Sequence, residues 1–158
     1  MASDSQGAES SAEIAAARPT RVAQIGCGFY GQNHLHAWRD LAAEGAGLVA
    51  VCDTDADKAR AAGEAFGVPW YTDARRMLTE ARVELIDIAT RMDTHRALAA
   101  LAASSGVAAI VQKPFAPTFD DCRAMVETAR AAGTWLAVHE NFRFATAMRR
   151  VRKLLASG

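Results

Sequence analysis

The chain of 158 residues is long enough for one domain with a real core, and its 18 basic residues balance 18 acidic ones. That balance removes the electrostatic case for nucleic acid or a membrane surface as partner. Cys27, Cys52 and Cys122 are odd in number, far apart and without a C-x-x-C pair, which speaks against a disulfide framework or a zinc site; no metal is expected, and a reducing cytoplasm fits.

Residues 1–18, rich in Ala, Ser and acids, read as a disordered tail, since they lack the apolar core of a signal peptide and no run approaches a membrane span. From Arg21 onward short apolar runs alternate with stretches of helical period. The first run, Val22 to Ile25, leads into VAQIGCGFYGQNH, which places Gly26, Gly28 and Gly31 in the pattern G-x-G-x-x-G. Three glycines at that spacing arise by chance in roughly 5% of such chains, so the weight falls on context: a strand before, a helix after, and an acid some twenty residues on.

A helix beginning near Phe29 follows, with Tyr30, His34, Ala37, Trp38 and Leu41 as its apolar stripe and His34 read as packing. His34 and His36 stand two apart, so they face different sides and make a poor metal pair. The second strand, Leu48 to Cys52, ends at Asp53, which meets the third contextual demand. In that context Gly26 makes a tight turn, Gly28 lets backbone approach a pyrophosphate, and Gly31 packs helix against strand. The helix start offers free N–H groups to phosphate, and Asp53 accepts from a ribose 2′-hydroxyl, favouring NAD over NADP. Asp55 and Asp57 add to that negative field, and Lys58 and Arg60 partly offset it.

A short run at Trp70–Tyr71 and apolar segments at Leu85–Ala89, Val107–Val111 and Trp135–Val138 complete the strands. Thr118, with Asp121 three residues later, opens a helix whose stripe is Phe119, Cys122, Val126 and Ala129; Gly67 and Gly133 stand where helices stop. Strand and helix alternate with no hairpin signal, which predicts an α/β domain over residues 19–141: a doubly wound parallel sheet with right-handed crossovers. Ligands then bind beyond the carboxyl ends of the strands, which directs attention to Thr90-Arg91-Met92-Asp93-Thr94-His95 and Gln112-Lys113-Pro114.

At this point the sequence resembles the glucose-fructose oxidoreductase, inositol dehydrogenase and rhizopine catabolism (Gfo/Idh/MocA) oxidoreductases. The stretches that carry the resemblance are IGCGFYGQNH, VCDTDADKARAAGEAFGVPWYTD, LIDIATRMDTHRALAALAASSGV, VQKPFAPTFDDCRAMVETARAAG and HENFRFATAMRRVRKLL. The resemblance implies an NAD(P)-binding Rossmann domain and oxidation of a sugar, polyol or inositol-like CH–OH group. It maps the lysine of a Glu-Lys-Pro motif onto Lys113 and a histidine near cofactor and substrate onto His95, as catalytic residues. It places Gly26, Gly28, Phe29, Tyr30, Gly31, Asp53, Thr90, Gln112 and Lys113 against the cofactor, NAD rather than NADP.

Gln112 departs from the family's glutamate, and Arg91 and Met92 stand where proline and asparagine are common, which leaves the geometry of that loop open. Family members continue into a second domain that supplies substrate contacts, and residues 142–158, with a helix from Phe144 to Ser157, resemble the lead into it. A chain ending there is expected to bind NAD with little turnover, and to form a homo-oligomer only where that domain accompanies it. Two other readings remain open: an NAD-binding or sensing module without catalysis, and a methyltransferase-like Rossmann protein, which gives Gln112-Lys113-Pro114 no role.

Overall fold

The computed structural model describes residues 18–157. The expected tail lies outside the described residues apart from Arg18, whose guanidinium pairs with Glu84. The apolar runs form six parallel strands: β1 (Thr20–Ile25), β2 (Ala46–Cys52), β3 (Trp70–Tyr71), β4 (Leu85–Ile88), β5 (Ala108–Gln112) and β6 (Leu136–His139), in the order β3-β2-β1-β4-β5-β6. The helices are α1 (Phe29–Asp40), α2 (Ala56–Phe66), α3 (Ala74–Glu80), α4 (His95–Ser104), α5 (Phe119–Ala131) and α6 (Thr146–Ala156). Among the described residues no helix is long and apolar enough to cross a membrane.

The doubly wound topology follows from local signals. The carboxylates of Asp55 and Asp73 and the hydroxyl of Thr118 accept from the first free N–H groups of α2, α3 and α5. Gly67 and Gly133, both at φ +67°, take the left-handed conformation that turns the chain off a helix end. Because β1 has β2 on one side and β4 on the other, the winding direction reverses between β1 and β4, which opens a crevice at their carboxyl ends.

Alternation along the strands divides the core in two. Ala23, Ile25, Ile86, Ile88, Ala109 and Val111 pack with Met77, Ala99, Ala102 and Met125 of α3, α4 and α5; on the opposite face Val51 packs with Leu35 of α1 and Ala62 of α2. The expected helical stripes are rotated. In α1 the buried residues are Gly31, His34 and Leu35, whereas Tyr30 and Leu41 are exposed; in α5 they are Met125 and Ala129, whereas Phe119 and Val126 are exposed. The α1 rotation has a tertiary cause: Tyr30, Trp38 and Leu41 border a second cavity of about 380 Å³ with Ile110 and His139, over the outer strands that α1 does not cover. The edge strand β6 is for the same reason only half buried rather than enclosed on both faces.

Ile86 is fully buried on β4, between β1 and β5. Ile86→Ala removes three methyl or methylene groups from the centre of the larger core, so we expect a loss of ~2–5 kcal/mol of unfolding free energy in urea titration, with an unchanged m-value.

Candidate functional site

The crevice at the switch point is a cavity of about 690 Å³, and its walls include Gly26, Gly28, Phe29, Tyr30, Gly31, Asp53 and Thr90. The three glycines are there for different physical reasons. Gly26 sits at φ +100°, and a Cβ on it would strike the Ala89 carbonyl oxygen. Gly31 has an ordinary backbone, but a Cβ there would strike the Gly26 carbonyl oxygen. At Gly28 a Cβ would meet nothing within 4 Å, so protein packing does not exclude a side chain at that position.

The loop is held from below by a residue the sequence reading passed over. Gln24 is fully buried on β1, and its Nε2 donates to the carbonyls of Gly26 at 2.7 Å and Gly31 at 2.8 Å, tying the strand end to the first turn of α1. At the start of α1 Gly28 supplies no side-chain cap, and no acid occupies the first turn. The first N–H groups and the positive end of the helix dipole therefore face the cavity without an acceptor from a capping side chain.

Asp53, immediately after β2, accepts from Cys27 N–H with Oδ2 at 2.8 Å and from Asp55 N–H with Oδ1 at 2.9 Å. Its carboxylate is thus fixed in direction as well as position. The neighbouring charges are largely spent on one another, since Lys58 pairs with Asp55 at 2.8 Å and Arg60 pairs with Asp57. The Lys58 hydrogen bond holds the Asp55 carboxyl below the usual carboxylate range.

After β4 the loop folds into a 3-10 turn at Met92–Thr94, closed by Thr94 Oγ1 donating to the Arg91 carbonyl at 2.7 Å and by an Arg91–Asp93 pair at 3.1 Å. The departure at Arg91 and Met92 is therefore accommodated by a self-contained turn, and Arg91, Asp93 and Thr94 join Thr90 in the cavity wall.

His95, Gln112 and Lys113 are placed differently from the other expected site residues. His95 is 1% exposed, with Nδ1 3.1 Å from the Phe115 carbonyl and Nε2 3.2 Å from the Thr90 carbonyl, so it braces the loops after β4 and β5. Gln112 is likewise buried and faces His34 rather than the cavity. Lys113 follows β5, joins Pro114 through a cis peptide, and holds its Nζ 5.1 Å from the centre of the Phe142 ring.

Beyond the expected set, Thr54, Lys58, Thr72, Ala97 and Leu98 line the cavity, Gln24 supports its glycine loop from within, and Asp87 and His139 line the second cavity. A signal for Gln24 and Asp87 was available in the sequence: Gln24 is the single polar residue of the run Val22 to Ile25, and Asp87 that of β4. Both lie directly opposite each other in the β1–β4 register.

Residues 20–140 match the family model described as an oxidoreductase family with an NAD-binding Rossmann fold. The D-apiose dehydrogenase of Paraburkholderia graminis is 53% identical over 137 residues, covering 86% of this chain and 36% of that protein. Inositol 2-dehydrogenase 2 of Saccharopolyspora erythraea is 32% identical over 142 residues, covering 87% and 41%. The crystal structure of an oxidoreductase from Agrobacterium radiobacter in complex with NAD+, L-tartaric acid and magnesium superimposes with a TM-score of 0.83 at 43% identity, covering 88% of this chain and 40% of that one. The chain thus spans about two fifths of the length of these proteins.

Two cysteines flank the cavity floor. Burial first, and then the charge of Asp53, push the Cys27 and Cys52 thiols up to about 12, so at pH 8 both are protonated and unreactive. Cys122 is partly exposed on α5. Iodoacetamide at pH 8 is expected to label Cys122 in the folded protein and to reach Cys27 and Cys52 only after denaturation, as read by peptide mass spectrometry.

Proposed function

The chain belongs to the Gfo/Idh/MocA oxidoreductase family, and from that premise we propose that the switch-point cavity holds NAD, and that the whole protein oxidises a CH–OH group of a sugar, polyol or inositol-like substrate. One observation carries the reading: an uncapped helix start, open space above Gly28 and a fixed carboxylate after β2 meet in one cavity. These residues fit a dinucleotide. The free N–H groups of α1 and the bare backbone at Gly28 suit a pyrophosphate, and Asp53 retains acceptor capacity for a ribose hydroxyl while repelling a 2′-phosphate. Phe29, Tyr30 and Thr90 complete the walls.

When bound, the nicotinamide supplies the hydride acceptor. The chain's own contribution to chemistry centres on Lys113, whose ammonium at the carboxyl edge of β5 stabilises a developing alkoxide. His95 and Gln112 act on the backbone around that edge. The substrate class follows the relatives, named for D-apiose and inositol. Turnover also requires groups that orient the alcohol and exclude water, which this open crevice does not provide by itself.

Fluorescence titration with NADH tests the cofactor assignment. Gly28→Val is expected to leave the melting temperature within a few degrees, because its Cβ meets nothing, and to weaken NADH binding at least a hundredfold. Equal affinity in wild type and variant refutes the site. At Asp53 the informative change is Asp53→Asn, whose single amide oxygen keeps one of the two backbone bonds to Cys27 and Asp55 where alanine keeps neither; the preference for NADH over NADPH should shrink about tenfold, ~1.4 kcal/mol. A wild type that prefers NADPH shows that the acid is misassigned.

In a version of the protein that carries the second domain, Lys113→Met should leave NADH affinity within about twofold while turnover on a panel of sugars and inositols, followed through NADH absorbance, falls by at least two orders of magnitude. Unimpaired turnover removes Lys113 from the mechanism.

A further inference from the structure

Beneath the carboxyl edge lies a buried polar chain that cofactor binding does not explain. Asp87 on β4 is 2% exposed, and its Oδ2 lies 2.7 Å from His34 Nδ1 and 2.7 Å from Trp38 Nε1. On its far side the His34 imidazole presents Nε2 to Gln112 Nε2 at 2.8 Å. Gln112 in turn accepts the Lys113 backbone N–H with Oε1 at 2.6 Å. His139 on β6 approaches the same point, its Nδ1 3.3 Å from Gln112 Nε2 and 3.2 Å from His34 Nε2.

The proton positions follow from chemistry. A backbone N–H always donates, so the Gln112 oxygen must face Lys113 and the amide NH₂ must face the two imidazoles. An amide NH₂ has no lone pair to accept with. His34 Nε2 is therefore bare and accepts one amide hydrogen, which leaves the imidazole proton on Nδ1, directed at Asp87. Burial first, and then His34, hold His139 below the ordinary imidazole range, which favours its neutral ring.

We infer that Asp87, His34 and Gln112 form a positioning relay in which the Asp87 carboxylate and the Gln112 amide together fix His34 as the Nδ1–H tautomer, and the relay holds the main chain at Lys113. The importance of that main chain for catalysis rests on the role given to Lys113 above; the relay itself does not. The three are positioning residues, none of them in the wall of the cavity that contains Asp53. Replacing the amide with an apolar side chain strands an acceptor at His34 and a donor at Lys113, so both ends of the relay respond to one change.

The test is nuclear magnetic resonance on the full 158-residue chain, labelled with ¹⁵N and without cofactor. In the wild type at pH 7, the His34 imidazole should show a protonated Nδ1 and an unprotonated Nε2; a proton on Nε2 overturns the proposal. In Gln112→Leu the Asp87 carboxylate still holds the proton on His34 Nδ1, so the change should appear as a shift of the His34 Nε2 resonance on loss of its amide donor, and the Lys113 amide should exchange at least tenfold faster, while the amides of Ile25 and Ile88 keep their protection. A folded Gln112→Leu protein with wild-type His34 signals and Lys113 exchange also overturns it. If that variant does not fold, the wild-type imidazole spectrum decides alone. Loss of NADH binding in titration bears on the cavity and not on the relay, so the two failures are distinguishable.

Discussion

The structure around the cavity depends on the contact between Gly31 and the Gly26 carbonyl. There is no room for a Cβ between them, and the buried Gln24 amide bonds both carbonyls from the β1 side. That contact sets how closely α1 can approach β1. With α1 seated this way, its uncapped start opens onto the crevice where the winding of the sheet reverses. A methyl group at residue 31 would push the helix outward and remove the alignment on which anion binding at a helix start depends.

Around that fixed point, polar side chains tie one strand end to the next. Asp53 bonds the glycine loop to the end of β2, His95 spans the loops after β4 and β5, and Gln112 links the end of β5 to His34 of α1. These groups are costly to bury, and their partners largely offset that cost: a buried acceptor or donor left alone costs roughly 1–3 kcal/mol. The accounting is incomplete at two atoms, Gln24 Oε1 and Asp87 Oδ1, which are buried without a partner among the described residues. Rigidity at the carboxyl edge is the return.

The other half of the molecule is less enclosed. The outer strands are covered on one face by α4 and α5, while on the α1 side Ile110 and Ala137 remain partly open. Phe142, Phe144, Met148, Val151, Leu154 and Leu155 are exposed on the last turn and helix. Lys113 rests its ammonium against one of these, the Phe142 ring. The apolar surface of this region and the Lys113 ammonium thus belong to the same side of the molecule.

The order of strands and helices, the glycine loop, the cap at Thr118 and the acid after β2 were all legible in the sequence, because each depends on residues a few positions apart. Periodicity, capping and turn chemistry are local, and a chain that satisfies them in alternation has few topologies open to it. The helical stripes were legible only to within a rotation, since which face of α1 or α5 is buried depends on how much sheet lies beneath it. Tertiary structure alone decided the partners of Gln24, Asp87, His34 and Gln112. Asp87 and His34 are 53 residues apart, and Gln112 and His34 are 78. Nothing local distinguishes a histidine that packs from one that bonds a carboxylate across the sheet; burial makes that bond necessary, and burial is fixed only when the strands have found their register.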